Sequence, residues 1–270
     1  MITSMVSSLS SHQGKVALIT GGMSGIGLEA ACMLAARGAD IAVVSSQAQQ
    51  YHDAQSRINQ ALASHGGKTV FHNLDLRDRG QVETVIDDVT SKLGGISILV
   101  NAAGVYHNGE IANHNLDDWD DSIAVNLTAP FLTTRACWDH MVKANLGRII
   151  NIASTAAHVG MAEYAAYCAA KSGLLGLTRV TALEGAPHGI TCNSISPTWV
   201  DTPMMRRSMA RQAELEGITI DQQYARVKND NPQARIITPD EIAQQITWLA
   251  LDAPLALTGE DILMTGGASW

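Results

Sequence analysis

The sequence predicts an α/β fold in which a doubly wound parallel sheet carries helices on both faces. Short runs of aliphatic and β-branched residues alternate with longer amphipathic stretches along the whole chain. These runs are apolar almost throughout, as is typical of parallel strands that are buried on both faces. Right-handed crossover connections then favour the doubly wound arrangement of the elements.

Seven apolar runs are predicted to form the strands, and amphipathic stretches between them are predicted to form helices. The predicted strands are residues 15–20, 40–45, 68–73, 96–101, 148–153, 190–196 and 261–264. The predicted helices include residues 26–37, 79–92, 119–143, 167–185 and 239–251. Because the composition shows no break and no internal repeat, we expect a single domain over residues 13–270, after a disordered tail at residues 1–12.

One segment departs from the alternation of strands and helices. Residues 201–232 are rich in Met, Arg and Gln and lie between the sixth predicted strand and the next helix. In an open α/β sheet, this position overhangs the carboxyl ends of the strands, where ligands bind. We interpret the segment as a mobile substrate lid, and an ordinary surface excursion is the alternative.

The amino-acid composition limits the kinds of molecule that the protein is expected to bind. The chain has 270 residues, of which 46% are hydrophobic and 16% charged, enough for one sizeable core. Its net charge of −8 argues against a nucleic-acid or anionic membrane partner. The start of the chain does not resemble a signal peptide, and no apolar run reaches the ~18 residues that span a bilayer. The four cysteines form no metal-binding pattern. We therefore expect a cytoplasmic protein that acts on a small molecule.

A glycine-rich turn follows the first predicted strand and opens the first helix. Gly21, Gly25 and Gly27 lie in the run TGGMSGIG. Glycine permits a tight turn and close approach of the backbone to a phosphate, and a helix N-terminus presents free N–H groups. The spacing differs from the commoner G-x-G-x-x-G, so the interpretation depends on the strand before the turn and the helix after it. We predict that this turn binds the pyrophosphate of a dinucleotide.

A candidate group for proton transfer lies further along the chain and consists of Ser154, Tyr167 and Lys171. Tyr167 and Lys171 are four residues apart, so they share one face of a helix. The Lys171 ammonium and an oxidised nicotinamide are expected to lower the pKa of Tyr167 from its usual value of about 10, which makes this phenol the acid/base. Ser154, at the end of a predicted strand, would hold the substrate oxygen. Tyr164 is a poorer candidate because Cys168, not a cation, stands four residues after it.

These motifs, in this order, resemble those of the short-chain dehydrogenase/reductase family, and the resemblance covers nearly the whole chain. NLDLRD at 73–78 and NAAG at 101–104 are similar to family elements beside the adenine and the nicotinamide ribose. The run SPTWVDTP departs from the family pattern at Thr198, because a glycine usually follows the proline that is Pro197 here. The resemblance implies a Rossmann-type fold, hydride transfer between a secondary alcohol or ketone and nicotinamide (EC 1.1.1.-), and a homotetramer.

The resemblance also implies roles for individual residues. The implied catalytic set is Asn126, Ser154, Tyr167 and Lys171, with Asn126 holding a water in a proton relay. The implied cofactor contacts are Gly21, Ser24, Gly25, Ile26, Gly27, Ser46, Asp75, Leu76, Asn101, Ala102, Gly104, Tyr167, Lys171, Pro197, Val200 and Thr202.

The second predicted strand ends in VVSSQ, which bears on the choice of cofactor. An acidic residue here would hydrogen-bond the 2′-hydroxyl of NAD, and an arginine would accept the 2′-phosphate of NADP. Ser45, Ser46 and Gln47 offer neither, and Met23 supplies no basic group in the glycine turn. With no cation for a phosphate, the sequence favours NAD over NADP.

The stretch from GRIINIAS onward is most similar, within the family, to bacterial 3-hydroxybutyrate dehydrogenases. That subgroup holds a small carboxylate with Gln, His and Lys, but the matching positions here are Tyr106, Ala156 and Tyr164. His158, His107, Arg206 or Arg207 could replace part of this clamp. The candidate substrate contacts are Ser154, Tyr106, His158, Tyr164, Trp199 and Met204. The expected substrate is a hydroxy acid, or a sugar or polyol.

Two other functions remain open on such a fold. A catalytically silent dinucleotide sensor would need no Ser154, Tyr167 and Lys171 set, so their presence argues against it. An isomerase or dehydratase could use the same scaffold, because one fold hosts many chemistries.

Overall fold

The computed structural model describes residues 14–268, so the predicted tail at residues 1–12 lies outside the described residues. Within that range, seven parallel strands form one sheet in the order β3-β2-β1-β4-β5-β6-β7. The strands are β1 (Val16–Thr20), β2 (Asp40–Ser45), β3 (Thr69–Asn73), β4 (Ile98–Asn101), β5 (Gly147–Ile152), β6 (Ile190–Pro197) and β7 (Asp261–Met264). The predicted doubly wound parallel sheet is confirmed.

Helices cover both faces of this sheet. They are α1 (Gly25–Ala36), α2 (Tyr51–Leu62), α3 (Arg79–Leu93), α4 (Leu116–Ile123), α5 (Ala129–Ala144), α6 (Ala165–Gly185), α7 (Pro203–Glu216), α8 (Ile220–Asp230) and α9 (Pro239–Leu251). The single helix predicted at 119–143 is interrupted by a π-helical turn, Ala124–Thr128, which separates α4 from α5. No helix within residues 14–268 is long and apolar enough to cross a membrane.

Alternation of side chains along the central strand explains the two layers of helices. Ala17 and Ile19 of β1 lie in one apolar cluster with α1 and α9, whereas Val16 and Leu18 lie in another with α3 and α5. Successive side chains of a strand point to opposite faces, so a fully apolar strand needs cover on both sides. The two cores therefore hold β1 at the centre of the molecule.

The strand order reverses between β1 and β4, and their carboxyl ends diverge into a crevice there. The Thr20 hydroxyl accepts hydrogen bonds from the backbone N–H groups of Ala102 and Ala103, at 3.1 and 3.2 Å. Gly21 has a φ of +68°, and a Cβ at this position would lie 2.9 Å from Ala103 Cα. The close approach of the two strand ends therefore requires glycine.

A chain of buried polar side chains lies under this crevice. Thr133 donates to Asn101 at 2.7 Å, Asn101 to Asn151 at 2.9 Å, and Asn151 to Thr178 at 2.9 Å. These bonds connect α5, β4, β5 and α6. Asn101 was predicted to contact the cofactor, but the residue is only 2% exposed and its side-chain amide is committed to this network. The amide is therefore held inside the sheet, and a cofactor contact by the Asn101 backbone stays a prediction.

The segment at 201–232 folds into α7 and α8. Met205, Met209 and Val227 form a small apolar core between them, against which Trp199 and Tyr224 pack. Helix α7 begins at an N-cap, where Thr202 accepts a hydrogen bond from Met205 N at 3.2 Å, and it ends before Gly217, whose φ is +65°. Residues of α7 line the cleft at the carboxyl end of the sheet, and α8 packs against α7.

Candidate active site

A cavity of ≈ 660 Å³ opens at the carboxyl ends of the central strands. All of the predicted cofactor residues except Asn101 line it, and so do Asn126 and Ser154. Tyr106, Tyr164 and Trp199 also line it, together with Met204 of α7. The structure thus brings the glycine turn and the candidate proton-transfer group to one cleft.

The glycine turn leaves the start of α1 free for an anion. A Cβ on Gly27 would lie 2.5 Å from the carbonyl oxygen of Gly21, so helix and turn approach too closely for any side chain. Ser24 is the N-cap residue, but its hydroxyl makes no cap hydrogen bond and instead donates to Gln47 Oε1 at 2.9 Å. The first turn of α1 contains no acidic residue. Its N–H groups therefore offer the geometry that a pyrophosphate needs.

An ion-pair network of Asp75, Arg77 and Asp121 also lines the cavity. Arg77 binds Asp75 and also donates to Asp121 at 2.8 Å. Hydrogen bonding from Arg77 lowers the pKa of Asp75, which keeps this carboxylate ionised. Sequence reasoning missed Arg77 and Asp121 because 44 residues separate them along the chain. The only local indication was the alternating charge in NLDLRD.

Lys171 is buried, with 4% of its surface exposed, and its Nζ donates to the carbonyl oxygen of Ile152 at 2.7 Å. This bond joins α6 to the end of β5. Loss of hydration lowers the pKa of Lys171 to about 8. Its Nζ lies 5.7 Å from the centre of the Tyr167 ring, so the predicted pairing of these two side chains on one helix face is present.

The pKa of Tyr167 differs from the expectation. Its side chain is partly exposed along the cleft, yet the surrounding protein raises the pKa of its phenol to about 12, and a hydrogen bond with Ser154 acts in the opposite direction. The sequence predicted a lowered pKa because of Lys171. Burial sets the direction of the shift, and the Lys171 ammonium donates to the carbonyl of Ile152 rather than to the phenol.

Ser154 and Asn126 are held in place by backbone groups. Ser154 Oγ accepts from Ala156 N at 3.1 Å at the start of a short 3₁₀ turn. Asn126 is fully buried in the π-helical turn, where its amide exchanges two hydrogen bonds with the backbone of Val105, at 3.3 and 3.0 Å. A Cβ on Gly104 would lie 3.1 Å from Asn126 Oδ1, so glycine preserves this contact.

Aromatic rings form the wall beside the candidate proton donor. Tyr106 stacks on Tyr164 with a centroid separation of 4.6 Å and meets Tyr167 edge-on at 5.0 Å. Trp199 lies 6.4 Å from the Tyr106 ring. The buried Tyr106 hydroxyl has no well-formed hydrogen bond among the described residues, although the hydroxyls of Tyr164 and Ser208 lie close by. An unpartnered buried hydroxyl is costly, so this group is suited to a polar atom of a ligand.

The structure separates the two histidines from the role considered for them. His158 does not line the cavity, because its imidazole lies 2.6 Å from Asp261 on β7. The expected substrate contact by His158 gains no support from this placement, because the ring is bound to a carboxylate on the edge strand. His107 does line the cavity, but its Nε2 lies 2.6 Å from Asp121.

Helix α7 contributes a face to the cleft that sequence reasoning largely missed. The residues of this face are Met204, Arg207, Ser208, Arg211, Gln212 and Leu215. Gln212 donates to the Tyr164 hydroxyl at 3.2 Å and accepts from Gln223 of α8 at 2.8 Å. The α7 residues that line the cleft recur at spacings of three and four, and this helical pattern could have identified the face from the sequence.

A dinucleotide-sized cleft at the switch point of a doubly wound sheet is typical of nicotinamide-dependent oxidoreductases. Residues 15–213 match the family model described as short chain dehydrogenase. The chain belongs to the short-chain dehydrogenase/reductase family, an oxidoreductase family that binds nicotinamide cofactors. The resemblance predicted from the motifs is confirmed.

Relatives with different substrates cover almost the whole chain. D-beta-hydroxybutyrate dehydrogenase of Cupriavidus necator is 39% identical over 256 residues, which are 94% of this chain and 97% of the relative. D-threitol dehydrogenase of Mycolicibacterium smegmatis is 36% identical over 254 residues, 94% of this chain and 92% of the relative. A variant of actinorhodin polyketide ketoreductase with NADPH has a TM-score of 0.88 and 29% identity, covering 97% of this chain and 98% of the other. The silent-sensor and isomerase alternatives gain no support from these matches.

The lowered pKa of Lys171 predicts a specific pH dependence of stability. Near pH 7, both the folded and the unfolded chain keep the proton, and the fold carries the full cost of a buried ammonium. Between about pH 8 and pH 10.5, Lys171 keeps its proton only in the unfolded chain, so the free energy of unfolding rises with pH. Relative to Lys171→Met, the wild-type free energy of unfolding should gain about 3 kcal/mol from about pH 7 to about pH 10, measured by urea denaturation.

The exposed Lys143 supplies the control for that measurement. The difference between wild type and Lys143→Met should stay constant over the same pH range. A constant difference for Lys171→Met as well would contradict the assignment of a buried, readily deprotonated amine.

Proposed function

We propose that the protein is an NAD-dependent dehydrogenase that transfers a hydride between a secondary alcohol, or the matching ketone, and nicotinamide. The observation that carries the proposal is the convergence of Ser154, Tyr167 and Lys171 on the cleft that begins at the glycine turn. The bound dinucleotide would accept or supply the hydride. The protein would supply position and a path for the proton.

In the direction of alcohol oxidation, the substrate hydroxyl lies between Ser154 Oγ and the Tyr167 oxygen. Ser154 holds the substrate oxygen, and the Tyr167 phenolate takes its proton as the hydride leaves the carbinol carbon. In the reverse direction, the phenol returns this proton to the carbonyl oxygen. A pKa raised to about 12 keeps Tyr167 protonated at neutral pH, which suits it to act as the acid in ketone reduction.

Alcohol oxidation needs a lower pKa for the same phenol. Two positive charges would act in that direction: the Lys171 ammonium and an oxidised nicotinamide. Lys171, whose pKa lies at about 8, can release and regain a proton in the mildly alkaline range. Asn126, buried beside Gly104 and Val105, would hold a water that carries the proton onward.

The cofactor is NAD rather than NADP. Ser46 and Gln47 are exposed at the end of β2, and Gln47 is bound to Ser24. Arg77, the cation lining this end of the cleft, is committed to Asp75 and Asp121. A 2′-phosphate would find no uncommitted cation there, whereas a ribose hydroxyl could bond to Gln47.

Helices α7 and α8 act as the lid of a single domain, which includes all of the described residues 14–268. The lid contacts the cleft wall through the hydrogen bond from Gln212 to Tyr164. Its inner core is small, consisting of Met205, Met209 and Val227. Few buried apolar contacts and a polar attachment favour local opening.

The protein acts as a homotetramer of identical chains. Apolar side chains are exposed on the outer faces of α5 and α6: Phe131 at 48%, Val180 at 53% and Leu183 at 77%. Val180 and Leu183 are three residues apart and so lie on one helix face with Gly176 one turn earlier. A second copy of this same face is the occupant that symmetry favours.

Removal of the phenol tests the proposed acid/base. Tyr167→Phe should lower turnover by about 10³-fold because proton transfer is lost, while NADH affinity measured by fluorescence stays close to the wild-type value. Tyr51→Phe, on the outer helix α2, is the matched control and should keep full turnover. Retention of turnover by the Tyr167 variant would refute the assignment.

The cofactor preference can be tested at one position. Wild-type kcat/KM should be at least about 10-fold higher with NAD than with NADP, since no cation balances the phosphate. Gln47→Arg should raise kcat/KM for NADP by about 10-fold through a charge-assisted bond. Gln49→Arg, exposed nearby, is the control for added charge alone. A wild-type preference for NADP would overturn the choice of NAD.

The assembly can be measured by light scattering after size exclusion. The wild-type mass should be about four times the chain mass of 28.7 kDa. Leu183→Glu should give smaller species because it places a charge in the apolar face. Ser64→Glu adds the same charge to an exposed position after α2 and should leave the mass unchanged. A monomeric wild type would contradict the tetramer.

A further inference from the structure

Two arginines on the cleft face of α7 combine a place in the cavity lining with a lack of partners. Arg207 and Arg211 make no ion pair and no side-chain hydrogen bond within residues 14–268. Seven other arginines of that range pair with carboxylates. In a chain with a net charge of −8, acidic partners are plentiful. The two guanidinium groups are therefore available to a ligand.

Their placement on the helix makes this lack of partners more informative. Arg207 and Arg211 are four residues apart, so like charges lie one turn from each other and destabilise the helix. The neighbouring Arg206 points to Asp201 at 2.8 Å, and Glu216 of the same helix binds Arg226. An anion bound between the two arginines would relieve their repulsion.

The remaining cations that line the cleft are already engaged. Lys171 donates to the carbonyl of Ile152, and Arg77 is bound to Asp75 and Asp121. Arg207 and Arg211 are thus the uncommitted cations among the described lining residues. An anionic group of a substrate would be drawn to this part of the wall.

The position of the pair along α7 bears on which end of a substrate it would meet. Along the axis of α7, Arg207 lies about 4.5 Å and Arg211 about 10 Å beyond Met204. Uncharged rings, including Tyr106 and Trp199, form much of the wall beside Tyr167, and the nearby Lys171 ammonium is bound to the carbonyl of Ile152. An anion next to the reacting carbon would meet this aromatic wall, whereas an anion on a spacer would reach the arginines.

We infer that Arg207 and Arg211 bind an oxyanion carried at the end of the substrate that is distant from the reacting carbon. The substrate is then a secondary alcohol or ketone with an apolar or aromatic spacer and a terminal carboxylate or phosphate, not a neutral polyol or a short hydroxy acid. This inference rests on the proposed dehydrogenase function. The spacer packs on the aromatic wall, and the guanidinium groups form charge-assisted bonds to the oxyanion.

Three para-substituted 1-phenylethanols provide the test, and the benzoate and the benzamide among them are isosteric. The probes are para-(1-hydroxyethyl)benzoate, its neutral para-benzamide counterpart and para-(1-hydroxyethyl)phenyl phosphate, each oxidised with NAD. The wild type should prefer a charged probe to the amide by at least about 10-fold in kcat/KM, the size expected for a charge-assisted bond. The phosphate and carboxylate arms identify which oxyanion is bound better. In Arg207→Gln/Arg211→Gln, the preference for charge should fall to about one.

Two further measurements keep the result interpretable. Arg79→Gln removes an exposed arginine outside the cleft and should retain the wild-type preference. Arg207→Lys/Arg211→Lys keeps the charge without the bidentate geometry and should retain part of it. A wild-type preference of about one, with turnover of the amide intact, would overturn this inference and leave the dehydrogenase function standing.

Binding separates failure of the inference from failure of the proposed function. The affinity for benzoate and benzamide probes is followed by tryptophan fluorescence with NAD present. Tighter binding of the benzoate that is lost in the double Gln variant supports the inference even if no probe is oxidised, and equal binding overturns it. Absence of oxidation across the panel would count against the dehydrogenase instead. If the double variant loses NAD affinity but keeps its preference for charge, the arginines serve the cofactor and the inference is wrong.

Discussion

The hydrogen bond from Lys171 Nζ to the carbonyl oxygen of Ile152 organises the candidate site. Ile152 ends β5, and the chain reaches Ser154 two residues later, while Lys171 and Tyr167 share α6. This bond therefore ties the end of the strand that leads to the Ser154 hydroxyl to the helix that carries the Tyr167 phenol. A buried amine without this partner would be costly, so the arrangement tolerates little displacement.

The parallel sheet brings the other half of the site to the same place. All strands end at one edge, and the order reverses between β1 and β4, so the glycine turn and the chain after Asn101 face each other there. Steric contact between Gly21 and Ala103 then fixes the width of the crevice. The hydrogen bonds from Ala102 N and Ala103 N to the Thr20 hydroxyl hold the same two segments together. Backbone geometry, more than side-chain chemistry, shapes the cofactor end of the cleft.

Local sequence patterns predicted the features that depend on residues close together in the chain. Apolar runs gave the strands, and the four-residue spacing of Tyr167 and Lys171 placed both on one helix face. Contacts between distant segments escaped prediction: the pair of His158 with Asp261 spans 103 residues. The pKa of Tyr167 also escaped, because it depends on how much protein surrounds the phenol and on where the ammonium points. Both are properties of packing, which no spacing in the sequence encodes.

The position of charge in the cleft has a physical consequence for selectivity. A cation buried next to the reacting carbon would lose its hydration on folding, as Lys171 does, and would need a permanent partner. Arg207 and Arg211 stay exposed on α7, so they remain hydrated until a ligand arrives. The hydrogen bonds from Gln223 to Gln212 and from Gln212 to Tyr164 link this helix to the aromatic wall. An anion held on α7 would therefore favour the same arrangement of this helix that would place a substrate against Tyr164 and its stacked neighbour, so that binding of the anion and positioning of the reacting carbon would be coupled.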